Sequence, residues 1–281
     1  MDTAEKAKFS HALEIARRFV AARQSATALS DYPGPLPPDL VSAYRCQDAA
    51  IDLWPDTVAG WKIGKIPEAA QAKVGSHRLA GPIFAKGVHK AADESEIVCG
   101  VFVGGTACVE AEYVFEVGKD APADKTEWSI ADAAKIAGRL FVGVEMAGSP
   151  LSDINGRGPC IVVSDFGNNA DEILGAEIPG WRALKWEDLT VETFIDGKLI
   201  GAGGALAIPG GPLESLQFIA ENVAKRGRPL KKGMLISTGA ATGVHDVVAG
   251  QKARITFKGI QTIRVATAPR TAARQQQTQR T

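Results

Sequence analysis

Long apolar runs are missing from this sequence, and with them any segment of the length needed to span a bilayer. Charge imbalance is missing too. The 32 basic and 32 acidic residues leave a formal net charge of zero, so nothing favours nucleic acid or an anionic membrane as partner. Cysteine is sparse: Cys46, Cys99, Cys108 and Cys160 lie too far apart for a Cys-x-x-Cys pair or a zinc pattern. They read as reduced thiols of a cytoplasmic protein, with Cys108 as packing or, alternatively, as a reactive group. Met1 to Lys8 is of mixed charge with no apolar core after it, so no secretory signal is expected. Gly201-Ala202-Gly203-Gly204-Ala205 is glycine-rich but fits neither the dinucleotide fingerprint nor a phosphate loop. What remains is an ordinary globular composition, 45% hydrophobic and 23% charged, in 281 residues: one large domain or two small ones.

The stretch from Ala107 to Val117 organises the rest. Val109, Ala111 and Tyr113 alternate with Glu110, Glu112 and Val114, the period-2 signature of a strand. Residues i and i+2 share a face, so Glu110 and Glu112 stand side by side. Two like charges so placed call for solvent, a raised pKa or a cation. One reading is a solvated outer face; the other is a hard divalent ion such as Mg²⁺, which seeks carboxylate oxygens. Leu140 to Met146 reads as another strand ending on a glutamate, Glu145, which would complete a three-oxygen set. Val58 to Lys65 is a short strand with Trp61 and Ile63 on one face and Lys62 on the other. Burying an ammonium costs several kcal/mol unless it is paired. Lys62 therefore reaches solvent or faces a polar cavity where it binds an anion.

The remaining elements can be placed around these. Residues 4–24 read as an amphipathic helix with Phe9, Leu13, Ala16 and Val20 inward, capped by Asp2 or Thr3. Asp31 to Pro38 breaks it, and a second helix carries Leu40, Tyr44, Gln47, Ile51 and Trp54. Short helices follow Pro67 and Ser129, and a longer one starts at Pro212. His77 and His89 read as surface or hydrogen-bonding residues, with a catalytic role the alternative. Pro159 to Val163 reads as a strand closing on Ser164-Asp165, and Asp165 to Ala170 as a polar turn, either structural or lining a site. Asp196-Gly197 between two alternating runs predicts a hairpin. Lys252 to Phe257 and Gln261 to Ala266 form a terminal β pair, and a disordered tail is expected from Thr267. The expected organisation is a helical cap (1–57), a β-rich catalytic body (58–266) and the tail (267–281). The fold class is α+β, a β-rich mixed fold; strands and helices do not alternate as in a doubly wound sheet.

With these pieces in order, the chain resembles the 2-keto-4-pentenoate hydratase family of the fumarylacetoacetate hydrolase superfamily. The resemblance rests on Gly60-Trp61-Lys62-Ile63-Gly64, Val109-Glu110-Ala111-Glu112, Val144 to Ser149, Ser164-Asp165 through Gly175, the Asp196-Gly197 hairpin, Pro209, and Lys232-Gly233 to Thr238-Gly239. It implies a β-roll-like fold holding one Mg²⁺ or Mn²⁺ on Glu110, Glu112 and Glu145. It further implies a small 2-oxo acid substrate chelated through its keto and carboxylate oxygens. Lys62, with a lowered pKa, would move a proton, and Asp165 would help position Lys62 or a water. The backbone near Gly64 and the Thr238 hydroxyl would bind the substrate carboxylate. Two departures bear on the reaction: the loop Gly75 to Gly81 lacks the acids frequent in the family, which leaves His77 or Arg78 as possible substitutes, and Pro150 stands where an arginine is common. The activity expected is hydration of a 2-hydroxydienoate to a 4-hydroxy-2-oxo acid, as in aromatic catabolism. Decarboxylation of a 2-oxo-dicarboxylate such as oxalocrotonate is the alternative. A third possibility is a non-catalytic relative acting as partner subunit of an aldolase or decarboxylase. The resemblance also implies a homo-oligomer.

Overall fold

The computed structural model describes residues 3–92 and 95–272. The expected tail beyond 272, the side chain of Phe9 and a cap by Asp2 lie outside the described residues. Two helices come first, α1 (Thr3–Ser25) and α2 (Leu40–Leu53). Then follow β1 (Val58–Lys65), α3 (Glu68–Val74), β2 (Arg78–Phe84), β3 (Val88–Lys90), β4 (Glu96–Val101) and β5 (Thr106–Val117). The middle of the chain adds α4 (Ile130–Ile136), β6 (Ala137–Ser149), α5 (Pro159–Ser164), β7 (Asn169–Glu177), β8 (Thr190–Ile195) and β9 (Lys198–Gly204). Last are α6 (Pro212–Lys225), β10 (Leu235–Ser237), β11 (His245–Asp246), β12 (Lys252–Phe257) and β13 (Gln261–Pro269).

The strands form two sheets. One runs β2-β1-β10-β5-β6-β7-β3, with β11 also paired to β5; the other runs β4-β13-β12-β8-β9. The two long strands β5 and β6 pair antiparallel along most of their length and form the centre of the first sheet. Their odd- and even-numbered positions part company. Val109, Ala111, Tyr113 and Phe115 enter the main core with Ile255, Phe257, Ile263 and Val265 of the second sheet. Tyr113 and Phe257 meet edge to face, ring centroids 5.7 Å apart. The other face of β5 carries the glutamates, with a small apolar cluster of Val114, Phe141 and Leu235 beyond them. Strand alternation alone produces this division.

The N-terminal helices are stitched to the sheet by buried polar groups. Gln47 Nε2 donates to the carbonyls of Ala80 on β2 and Val163 on α5, at 2.9 and 2.8 Å. Tyr44 accepts the Ala80 N–H at 2.9 Å. On α1 the inward stripe is Ala12, Ile15, Ala16, Phe19 and Val20, while the expected Leu13 is half-buried.

Three local expectations need correction. Pro159 to Val163 is a helix, not a strand. Proline at the first position presets helical φ, and Gly158, at φ 104°, turns the chain into it; burial of Ile161, Val162 and Val163 against α2 then outweighs their β-branched preference. The polar turn expected over Asp165 to Ala170 gives way at Asn169 to a strand, Asn169–Glu177, beside β6. The last strand continues past Ala266 to Pro269, with Thr267 buried and its hydroxyl donating to Val248 O. The Asp196-Gly197 hairpin forms as expected, both residues at positive φ (48° and 80°), the geometry of a type I′ turn. Among the described residues no helix is long and apolar enough to cross a membrane.

Candidate metal centre and cavity

Cross-strand register builds the centre. Glu110 on β5 stands opposite Glu145 on β6, and Glu145 opposite Glu172 on β7. Glu112 stands opposite Gly143, whose missing side chain leaves the space that Glu172 uses: a Cβ there would lie 3.0 Å from Glu172 Oε1. All four glutamates are buried. The solvated-face reading of Glu110 and Glu112 is thereby excluded. One oxygen from each of Glu110, Glu112 and Glu145 lies within 4.8 Å of the others. Lys62 on β1 reaches the same place, its Nζ 3.1 Å from Glu145 Oε2, with both side chains buried.

Some of these oxygens are held by the protein. Glu112 Oε2 accepts the Gly239 N–H at 2.8 Å, and Glu145 Oε1 accepts the Asn169 side-chain amide at 3.1 Å. Glu112 Oε1 has no hydrogen-bond partner, and neither has either oxygen of Glu172. Orphaned buried carboxylate oxygens are costly unless something positive meets them. Three carboxylates with no nitrogen or sulfur donor form a set suited to a hard cation, so the residues present fit Mg²⁺ or Mn²⁺.

The electrostatics agree. Burial, then repulsion from Glu145, pushes Glu110 up to about 7, with Lys62 opposing. Burial and the neighbouring glutamates raise Glu112 and Glu172 as well. For Lys62 the expectation reverses. Burial pulls its pKa down, but the attraction of Glu145, Glu110 and Glu112 outweighs burial and raises it. With no cation on these carboxylates, their charge favours the ammonium form of Lys62, the opposite direction to the lowering expected from burial in an apolar strand.

Glu110 and Lys62 form part of the wall of a cavity of about 910 Å³. Gly64, Thr238 and Asp246 also line it. A Cβ on Gly64 would sit 3.1 Å from Leu79 Cδ1 and 3.7 Å from Lys62 Nζ, so glycine there keeps the approach to the ammonium open. Thr238 is in place but differently engaged. Its hydroxyl donates to the Tyr113 carbonyl at 2.7 Å, so its one proton is not offered to a substrate carboxylate.

Asp165 does not join the site. Its two oxygens are taken by Arg23 Nε and Ser149 Oγ, and the guanidinium lies over the Phe166 ring at 5.0 Å. It anchors α1 rather than positioning Lys62. His77 and Arg78, the residues in place of the absent loop acids, are engaged by another acid, although Arg78 lines the cavity. Both face Glu214, His77 at 3.5 Å and Arg78 at 2.7 Å, and Arg78 also donates to the Pro209 carbonyl. Sequence reading missed Glu172 and Asp246, while Asn169 fell within the polar turn read as structural or site-lining. Glu172 was hidden because the strand that carries it, β7, shows no clear alternation in the sequence. Asp246 sits on the two-residue strand β11, too short to show a period, opposite Cys108, whose Sγ lies 3.2 Å from Asp246 Oδ1.

No protein-family model matches the chain. It is 25% identical over 232 residues to 2-keto-4-pentenoate hydratase 2 of Dechloromonas aromatica (strain RCB), a match covering 79% of this chain and 84% of that protein. Among solved structures it is similar to 4-oxalocrotonate decarboxylase from Pseudomonas putida G7 complexed with magnesium and adipate: TM-score 0.73, 19% identity, 95% of this chain and 99% of that one. Fumarylpyruvate hydrolase from Pseudomonas aeruginosa, in complex with Mn²⁺ and pyruvate, follows at TM-score 0.55 and 17% identity, over 75% and 89% of the two chains. In sequence the chain is similar to proteins named 2-keto-4-pentenoate hydratase, and its mixed α+β fold is that of 4-oxalocrotonate decarboxylase and fumarylpyruvate hydrolase.

Proposed function

We propose that the protein is a divalent-cation-dependent hydratase that adds water to a 2-hydroxydienoate to give a 4-hydroxy-2-oxo acid. The observation that carries this is a lysine buried against three carboxylates at the wall of a cavity, in a chain whose longest matches among curated relatives are named hydratases, with shorter matches to 4-oxalocrotonate decarboxylases. Glu110, Glu112 and Glu145 would hold Mg²⁺ or Mn²⁺. When bound, the cation supplies Lewis acidity that stabilises the enolate charge of a 2-oxo acid. The rest falls to the protein's own residues. Lys62 holds a proton at Nζ within the cavity and is the group placed to move it. Asp246 shares the face of Cys108, two residues along β5 from Glu110, and is the carboxylate left to accept a proton from the added water. Leu79, Val162 and Ile208 line the cavity and would enclose the hydrocarbon chain.

The cavity's cations favour a monoacid over a diacid. Lys62 is held by Glu145, and Arg78 by Glu214 and Pro209. Lys65 is exposed and paired with Glu68. Among the described residues that line the cavity, the cation left to meet a second carboxylate, as in the decarboxylase reading, is Lys65.

The test is turnover of a 2-hydroxydienoate with Mg²⁺, followed by loss of dienol ultraviolet absorbance. Lys62→Gln is expected to lower kcat by about 10²–10⁴-fold while Mn²⁺ still binds. Glu112→Ala is expected to abolish Mn²⁺ binding in calorimetry. Bicarbonate release from an oxalocrotonate-type diacid, with no hydration, would replace this reading by the decarboxylase. Inactivity with tight binding to an aldolase or decarboxylase would replace it by the partner-subunit reading.

A further inference from the structure

A second cluster of donors lies where the two sheets meet. His89 on β3, Cys99 on β4 and Asp171 on β7 each bring one ligand atom, and these three atoms lie within 4.8 Å of one another. β3 is an edge of the first sheet and β4 an edge of the second. Asp171 and Glu172 are neighbours in one strand and point to opposite faces. His89 is the register partner of Ile173, on the Asp171 side. The cluster therefore lies behind the sheet from the four glutamates.

Its partners are already arranged. Asp171 Oδ1 faces His89 Nε2 at 3.5 Å, and Asp171 Oδ2 accepts from Arg270 at 2.9 Å. The Arg270 guanidinium rests over the Phe102 ring at 5.1 Å. Cys99 is buried, and burial pushes its thiol up to about 12, so the metal-free sulfur carries its proton. The His89 side chain is 36% exposed, which leaves the cluster a route to solvent.

We propose that His89, Cys99 and Asp171 form a site for a borderline divalent cation of the Zn²⁺ type, separate from the glutamate centre. One imidazole nitrogen, one thiolate and one carboxylate oxygen are the donor types Zn²⁺ accepts in a single tetrahedron. The thiolate selects against hard Mg²⁺, which the all-oxygen glutamate set suits instead. On binding, the Cys99 S–H bond breaks, its proton leaves to solvent and the sulfur lone pair forms the bond to the cation. Arg270 stays on Asp171 Oδ2 and orients the carboxylate from behind, leaving Oδ1 for the metal. The thiolate and carboxylate together match the cation's charge, and a water from the His89 side fills the fourth position. The bound cation ties β4 of one sheet to β3 and β7 of the other.

Co²⁺ serves as spectroscopic stand-in for Zn²⁺, added to the full-length protein in excess Mg²⁺ so that hard-cation sites are filled. The expected result is a near-ultraviolet thiolate-to-cobalt absorption saturating at one equivalent and displaced by Zn²⁺. Cys99→Ser is expected to lose the band. His89→Ala, at a part-exposed position that leaves the fold intact, is expected to weaken binding at least tenfold. No thiolate band in the unaltered protein, a band that persists in Cys99→Ser, or unchanged affinity in His89→Ala overturns the proposal. The band reports sulfur ligation, so the outcome does not depend on the glutamate centre.

Discussion

Asn169 donates its side-chain amide to Glu145 Oε1 across 3.1 Å, and its own carbonyl accepts Arg23 Nη1 at 2.9 Å. Two hydrogen bonds thus connect the first helix of the chain to a proposed metal ligand. The same guanidinium donates to the Gly148 carbonyl, at the end of the strand that carries Glu145. Arginine suits this place because its planar fork serves several acceptors at once.

Asn169 is expected to orient Glu145 for the cation. Groups that hold a ligand in place typically change metal affinity about 10–100-fold when removed. Asn169→Ala should therefore weaken Mn²⁺ binding by that factor in calorimetry, with the far-ultraviolet circular dichroism unchanged. Equal affinity in the variant would remove Asn169 from this role.

Arg23 is expected to matter for stability. Arg23→Ala leaves the Asp165 carboxylate buried beside Ser149 without its cation. Breaking a buried ion pair from one side costs about 3–5 kcal/mol. The urea midpoint should fall accordingly, and Asp165→Asn in the same chain should recover part of the loss, because the two changes share one interaction.

Stability without added cation should fall as pH rises from about 5 to 8. Glu110 is held at about 7 in the fold against an ordinary 4.5. Between those values the folded chain binds more protons than the unfolded one, so raising pH favours unfolding. The loss is on the order of 3 kcal/mol for Glu110 alone. Glu112 and Glu172, also raised by burial, act in the same direction. So does His89, raised by its hydrogen bond to Asp171. Urea midpoints at pH 5 and pH 8 measure the fall. Glu172→Gln should shrink it by removing one buried charge, and saturating Mg²⁺ should reverse it. A midpoint that rises with pH in the cation-free protein would contradict this assignment of charge.

The alternation of Ala107 to Val117 was enough to set Glu110 and Glu112 on one face, because side chains in a strand repeat every two residues whatever surrounds them. The Asp196-Gly197 turn was legible for a similar reason: its positive φ values are a local property of two residues. Burial was not local. Whether Glu110 and Glu112 met solvent or other buried carboxylates depended on what lay across β6 and β7, and only the register of Glu110, Glu145 and Glu172 decided it. The direction of the Lys62 shift turned on the same point, since burial and neighbouring charge oppose each other and only distance ranks them. Asp165 stood in the sequence beside site residues, yet a guanidinium from α1 had claimed it. Local chemistry set which groups each element could present; long-range pairing chose which of them would face one another, because contacts between residues far apart in the chain leave no periodic trace in it.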